Sequence, residues 1–206
     1  MPDTDKREEI RRVASQCFAH FGFSKTTMDD IGRQVGLNKA SLYYYYKNKE
    51  AIFCEIIEAE GEAFLADLKE KIHPLDGWDQ KIQAYLLERQ RYFQQTTNLH
   101  KLSVKTADQL QFQPMFRELA DRFAKGEVSL INKILDQALE AGQIRESDTE
   151  RTARVILSVA NSLKNEHMGI RKTDLTMDDA VFKSIEEDTR FAVGLILDGL
   201  SCQTLG

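Results

Sequence analysis

Apolar residues recur at helical spacing along almost the whole chain, and this periodicity limits the possible folds more than any other feature. They return every three or four residues, whereas the strict alternation of a half-buried strand is nearly absent. The three prolines, Pro2, Pro74 and Pro114, lie outside the strong helical patterns, so none of them interrupts a helix. The sequence therefore predicts an all-α fold of about nine helices.

The predicted helices, numbered one to nine in chain order, fall into a short N-terminal group and a longer C-terminal group. Apolar periodicity, together with start and stop signals, indicates their limits. These are about 5–20, 27–35, 39–45, 49–71, 78–95, 104–110, 114–141, 148–169 and 178–201. We predict a three-helix helix-turn-helix domain over about residues 1–49 and a larger helical effector-binding and dimerisation domain over about residues 50–206.

Helices two and three carry clear local signals at their ends. Thr27 and Asp30 have the spacing of a capping box, and Asn38 is expected to cap helix three. Gly36 lies in the short turn between the two helices, where positive φ is needed. A turn this tight sets the second of two helices at a steep angle to the first, which predicts a helix-turn-helix unit.

Helix three, the predicted reading helix, presents groups suited to a DNA major groove. We expect its outer face to consist of Lys39, Ala40, Ser41, Tyr43, Tyr44 and Tyr45. These side chains offer a cation, hydroxyls and a small residue that permits close approach to base edges and phosphates. Tyr46 is expected to turn inward. Thr27 and Lys49 lie at the starts of helices two and four, where free backbone N–H groups favour an anion, so both are interpreted as phosphate contacts.

Positive charge is concentrated in the same segment, although the chain as a whole is acidic. The formal net charge is -5, whereas the segment from Gly22 to Lys49 carries +3 and the remainder therefore carries -8. A small basic module on an acidic body is typical of a protein that touches phosphates with one end only.

The segment from Thr26 to Phe53, TTMDDIGRQVGLNKASLYYYYKNKEAIF, resembles the TetR family of bacterial repressors. The shared features are a threonine-led helix, an aliphatic-glycine-aliphatic turn at Val35-Gly36-Leu37, and a small-residue reading helix that continues into Leu42-Tyr43. The resemblance implies contact with double-stranded DNA by Thr27, Lys39, Ala40, Ser41, Tyr43, Tyr44, Tyr45 and Lys49. It also implies repression as the mode of action. Gly32 stands where alanine is usual and is expected to weaken helix two by about 1 kcal/mol.

Two copies of the reading helix are needed for useful affinity, because a single one covers few base pairs. Helices eight and nine have broad apolar faces with small residues, and they could pair with their symmetry mates in a four-helix bundle. Together with the resemblance, this predicts a homodimer through helices eight and nine that binds a palindromic operator.

The remaining helices are rich in aromatic residues that could enclose a small, largely apolar effector. For any one of these residues, ordinary core packing is the competing interpretation. The candidate ligand-binding residues are Trp78, Tyr85, Phe93, Leu110, Phe116, Phe123, Asn161 and Asn165.

Other classes of function remain open at this point. Regulation by a protein partner or by the thiol state of Cys17, Cys54 or Cys202 is one alternative, and a helical interaction module without DNA binding is another. The sequence contains no phosphate-binding loop, nucleophile elbow or metal-ligand spacing, so neither an enzyme nor a cofactor or metal is expected. Widely spaced cysteines, a polar N-terminus and the lack of a membrane-spanning apolar stretch predict a cytoplasmic protein.

Overall fold

A computed structural model describes residues 2–100, 110, 113–170 and 179–202. Over these residues the chain forms eight α-helices. They are α1 (Pro2–Phe21), α2 (Met28–Val35), α3 (Lys39–Tyr45), α4 (Lys49–Ile72), α5 (Trp78–Leu99), α6 (Pro114–Glu140), α7 (Thr149–Ile170) and α8 (Asp179–Leu200). The all-α prediction is confirmed, and α7 and α8 are the predicted helices eight and nine. The short helix predicted at 104–110 lies outside the described residues, except for Leu110.

The described residues form two compact units. Unit 1 contains those within 2–65 and 94–120, and unit 2 contains those within 66–93, 121–170 and 179–202. Helices α4, α5 and α6 therefore each contribute residues to both units. The predicted domain boundary after residue 49 stays a prediction.

A dense cluster of aromatic rings forms the core of unit 1. Phe53 on α4 contacts Phe18 on α1 edge to face, with ring centroids 5.5 Å apart, and lies 4.8 Å from Phe23 in the loop after α1. His100 and Phe116 pack against the same Phe53 ring at 5.2 and 6.1 Å. Since edge-to-face and tilted ring contacts are specific in geometry, this cluster fixes α1 to α4 at defined angles.

The turn between α2 and α3 depends on two glycines. Gly36 has φ 74°, a left-handed conformation that favours glycine, and its N–H donates to the carbonyl of Arg33. Gly32 permits a close approach, because a Cβ there would lie 3.1 Å from the carbonyl oxygen of Leu37. The expectation that Gly32 simply weakens α2 is therefore incomplete. Alanine has a higher helix propensity than glycine, but its Cβ would crowd the turn, and this offsets the gain.

Unit 2 has its own core, built from the facing sides of α5, α6, α7 and α8. Fully buried side chains include Ile82 on α5, Ile131 on α6, Ile156 on α7 and Ile185 on α8. The amide of Gln90 on α5 donates to the hydroxyl of Thr189 on α8 at 2.7 Å within this core. In the described part of the chain, no helix is both long and apolar enough to cross a membrane.

Candidate nucleic-acid interface

The two sides of α3 differ sharply in exposure. Leu42 and Tyr46 are buried in the core of unit 1, and the prediction that Tyr46 turns inward is confirmed. On the opposite side, the side chains of Tyr43 and Tyr44 are 45% and 77% exposed, and Lys39 and Ala40 are exposed as well. A short helix with a basic and aromatic outer face is thus presented to solvent. The other two α3 residues that were predicted to contact DNA, Ser41 and Tyr45, are less exposed.

Ser41 and Tyr45 are only partly exposed. Tyr45 packs against the core of unit 1 and meets the Tyr44 ring edge to face at 5.1 Å. The backbone N–H of Ser41 donates to the side-chain oxygen of Asn38 at 2.8 Å, so Asn38 is the helix cap that the sequence predicts. Tyr45 is therefore only partly available to a ligand.

A network that sequence inspection missed holds the C-terminal end of α3. The Tyr46 hydroxyl donates to Glu55 Oε2 at 2.7 Å, and the Arg7 guanidinium lies 4.5 Å from the Tyr46 ring centroid. Arg7 also donates to the Tyr45 carbonyl oxygen at 3.1 Å and pairs with Glu55. Burial, followed by the hydrogen bond to Glu55, raises the pKa of Tyr46. Side chains from α1 and α4 thus set the orientation of α3.

Tyr46→Phe is expected to lower the free energy of unfolding by about 1–2 kcal/mol, because a buried hydroxyl loses its charged acceptor. Urea unfolding followed by circular dichroism measures this change. Tyr44→Phe is the matched control, because it removes an exposed hydroxyl and should leave stability unchanged. Equal stability of the two variants would contradict a positioning role for the Tyr46 hydroxyl.

Lys49, predicted to contact a phosphate, has its side chain turned inward. Its Nζ donates to the carbonyl oxygens of Phe23 and Thr26 at 2.7 and 2.9 Å, and to that of Ser24 at 3.3 Å. The ammonium also lies 4.6 Å from the centroid of the Phe23 ring, and burial lowers the pKa of Lys49. Since an ammonium has three protons, a phosphate contact would require Lys49 to release one of these carbonyls.

Thr27 is exposed at the start of α2 and takes part in the predicted capping box, which is confirmed. Its hydroxyl donates to Asp30 Oδ2 at 2.6 Å and accepts from the Asp30 N–H at 3.2 Å. The hydrogen bond from the Thr27 hydroxyl lowers the pKa of Asp30. A phosphate contact by Thr27 would therefore compete with a carboxylate that is already in place.

Carboxylates on α2 neutralise part of the positive charge near the reading helix. Lys39 Nζ lies 3.7 Å from Asp29 Oδ1, and Arg33 pairs with Asp30. Lys39 also lies 6.0 Å from the ring centroid of Tyr43, one helical turn further along α3. These pairs are exposed, so each contributes little to stability, and a phosphate can take the place of the carboxylate.

Comparison with known proteins identifies this arrangement. The sequence model of the family "Bacterial regulatory proteins, tetR family" matches residues 10–56, which include α2, α3 and most of α1. These residues carry the helix-turn-helix segment of the TetR family. The chain is a DNA-binding transcription regulator, and we call the unit built from α1, α2, α3 and the start of α4 the TetR segment.

Individual relatives match the chain either over most of its length or over a stretch about as long as this segment. The uncharacterized HTH-type transcriptional regulator YhgD of Bacillus subtilis is 25% identical over 158 residues, which cover 75% of this chain and 80% of YhgD. The negative transcriptional regulator IcaR of the Staphylococcus epidermidis biofilm operon icaADBC is 42% identical over 52 residues, 25% of this chain and 28% of IcaR. A transcriptional regulator from Cytophaga hutchinsonii shares the fold, with a TM-score of 0.81, 23% identity and coverage of 95% of this chain and 98% of that one.

The ligand-binding residues predicted for this regulator do not all lie in one place. Leu110 and Phe116 belong to the core of unit 1 and pack with the helix-turn-helix residues. Asn165 on α7 is exposed, although Asn161, one turn earlier, is not. The members that lie in unit 2 and are at least partly buried are Trp78, Tyr85, Phe93, Phe123 and Asn161.

Proposed function

We propose that this TetR-family protein is a homodimeric repressor that leaves a palindromic operator when a small effector binds in unit 2. The observation that carries the DNA-binding half is the outward face of α3, where Lys39, Ala40, Tyr43 and Tyr44 are exposed while Leu42 and Tyr46 anchor the helix. A rigid helix with this face can enter a major groove, whose edges carry the sequence-specific donors and acceptors. Repression is implied by the family resemblance.

An exposed apolar strip on α7 and α8 supports the homodimer. Phe191 and Leu195 on α8, one helical turn apart, are 71% and 61% exposed, and Val155 on α7 is 46% exposed. Val155 and Leu195 line one surface groove together with Gly199. Large exposed side chains on a shared face mark an interaction surface, and a two-fold axis through this strip would pair it with itself.

Effector control follows from a shift in the population of two conformers, one of which fits the operator better. Helices α4, α5 and α6 each carry residues of both units, so a conformational change in unit 2 can reach unit 1 through a continuous helix. The thiol alternative has less support at Cys17, which is buried, and burial raises the pKa of its thiol. We therefore favour a small-molecule effector.

Tyr43→Ala is expected to weaken binding to every duplex by about 10-fold, whereas Lys39→Ala and Ser41→Ala are expected to change the preferred sequence as well. Fluorescence anisotropy with the chain's own upstream DNA and with unrelated duplexes, at two salt concentrations, measures both effects. Lys39→Ala should also reduce the salt slope by about one, because a cation of the DNA-binding face is lost.

Lys133→Ala is the control for these variants, because Lys133 is exposed on α6 in unit 2. It should change neither the affinity nor the preferred sequence. A wild-type protein that shows no salt-dependent binding to any duplex would contradict the proposal as a whole. Equal losses across all sequences for all three α3 variants would contradict the roles assigned to Lys39 and Ser41.

A further inference from the structure

We propose that the effector of unit 2 is an organic acid with an apolar body, and that Arg89 and Lys164 bind its carboxylate. This inference rests on the effector control proposed above and assigns the chemical class of the ligand. It comes from a group of charged side chains that the facing sides of α5, α6 and α7 bring together inside unit 2.

Arg89 on α5 is the centre of this group. Its guanidinium pairs with Glu127 on α6, and its Nη2 donates to the side-chain oxygen of Asn161 on α7 at 2.8 Å. The hydroxyl of Tyr85, one turn before Arg89, donates to Glu127 Oε1 at 2.8 Å. Three helices thus direct polar atoms toward one point, and the Arg89 and Glu127 side chains are both largely shielded from solvent.

Lys164 adds a second cation to the group. It lies three residues after Asn161 on α7, and its Nζ is 4.5 Å from the ring centroid of Phe93 on α5. Among the described residues, no carboxylate lies within ion-pair distance of this ammonium, so Glu127 is the one negative charge facing two positive ones. Burial and the neighbouring Arg89 lower the pKa of Lys164 to about 8, which leaves it mostly protonated at neutral pH.

An unbalanced positive charge in a shielded site is costly unless a counter-ion compensates it. A carboxylate from a ligand would restore the balance and accept charge-assisted hydrogen bonds from Lys164 and Arg89. Phe93 lies beside Lys164, and Phe123 and Ile131 lie one turn before and one turn after Glu127 on α6, so apolar side chains accompany the charged ones. A site with two cationic side chains and apolar neighbours fits an organic acid whose atoms other than the carboxylate are hydrophobic.

The test uses the purified full-length protein and two matched pairs of probes: decanoate with decanol, and phenylbutyrate with phenylbutanol. Within each pair the apolar body is the same, so the difference in affinity, measured by isothermal titration and by thermal shift, reports the carboxylate alone. We expect at least one acid to bind about 10-fold more tightly than its alcohol. Lys164→Met keeps the apolar stem beside Phe93 and should abolish this preference.

Two further variants make the result specific. Glu127→Gln removes the competing carboxylate and should strengthen binding of the acid by about 3-fold while leaving the alcohol unchanged. Lys133→Met, at an exposed position of α6, should retain the wild-type preference. The proposal is overturned if neither acid binds at millimolar concentration, if acids bind no better than alcohols, or if Lys164→Met retains the preference.

Operator release is measured separately, so that the two proposals can fail independently. An acid that binds through Lys164 without releasing DNA would support the site and contradict effector-controlled release. A neutral compound that releases DNA with no preference for acids would support release and contradict the site.

Discussion

A monomer that no longer binds its operator tightly is expected when Phe191 and Leu195 are both replaced with glutamate. A symmetric dimer buries two copies of each of these side chains, one from each protomer. Burial of one Phe or Leu side chain stabilises the dimer by about 1.5–3 kcal/mol. The variant also places four carboxylates in a dry interface, where unpaired charges are strongly unfavourable. Loss of the second reading helix should then reduce operator affinity by about 1,000-fold.

Light scattering after size-exclusion chromatography measures the oligomeric state, and anisotropy measures operator binding. Leu99→Glu is the matched control, because Leu99 on α5 is exposed to a similar degree but belongs to unit 1, whereas the α7–α8 strip belongs to unit 2. It should remain dimeric. If the double variant stays dimeric with an unchanged circular dichroism spectrum, the interface lies elsewhere and the α7–α8 assignment is incorrect.

Lys49→Met is expected to destabilise the reading unit by about 3 kcal/mol, because three carbonyls lose a charged donor and the loop before α2 loses its tie to α4. Operator affinity should fall by about 100-fold in consequence, since α2 and α3 are no longer held in one orientation. Hydrogen exchange at the amides of α1 to α3 measures the local stability, and anisotropy at several salt concentrations measures the DNA affinity.

The salt dependence distinguishes this positioning role from a direct phosphate contact. If Lys49 bonds only to carbonyls within the protein, its replacement leaves the slope of affinity against salt concentration unchanged. If Lys49 contacts a phosphate, its replacement reduces that slope by about one. Lys47→Met is the control, because Lys47 is an exposed neighbour of the same charge. Normal protection of α1 to α3 together with a reduced slope would show that Lys49 reaches DNA, as the sequence predicts.

Local sequence signals were sufficient for the parts of the site that short-range forces determine. The capping box of Thr27 and Asp30, the Asn38 cap and the glycine at Gly36 each act within three or four residues, so they can be recognised in a single sequence. The inward turn of Tyr46 was expected because so short a pair of helices needs an aromatic side chain in its core, and Tyr46 is buried just past the end of α3.

Long-range partners could not be identified in the same way. Arg7 and Glu55 meet at Tyr46 from positions far apart in the sequence, and no local pattern connects them. Leu110 and Phe116 were expected to line a ligand site on account of their apolar character, yet they pack in the core of unit 1. The apolar character of a side chain predicts that it is buried, but it does not identify the residues against which it packs.

Local sequence signals determined that this chain is helical, where α2 and α3 begin and end, and that Lys39, Ala40, Tyr43 and Tyr44 of α3 face outward, because these properties depend on neighbours within a few residues. The tertiary structure alone decided that Lys49 turns toward the loop after α1 and that Arg89, Glu127 and Lys164 meet inside unit 2. The reason is physical: a long charged side chain has many rotamers, and the partner that selects one of them comes from another helix.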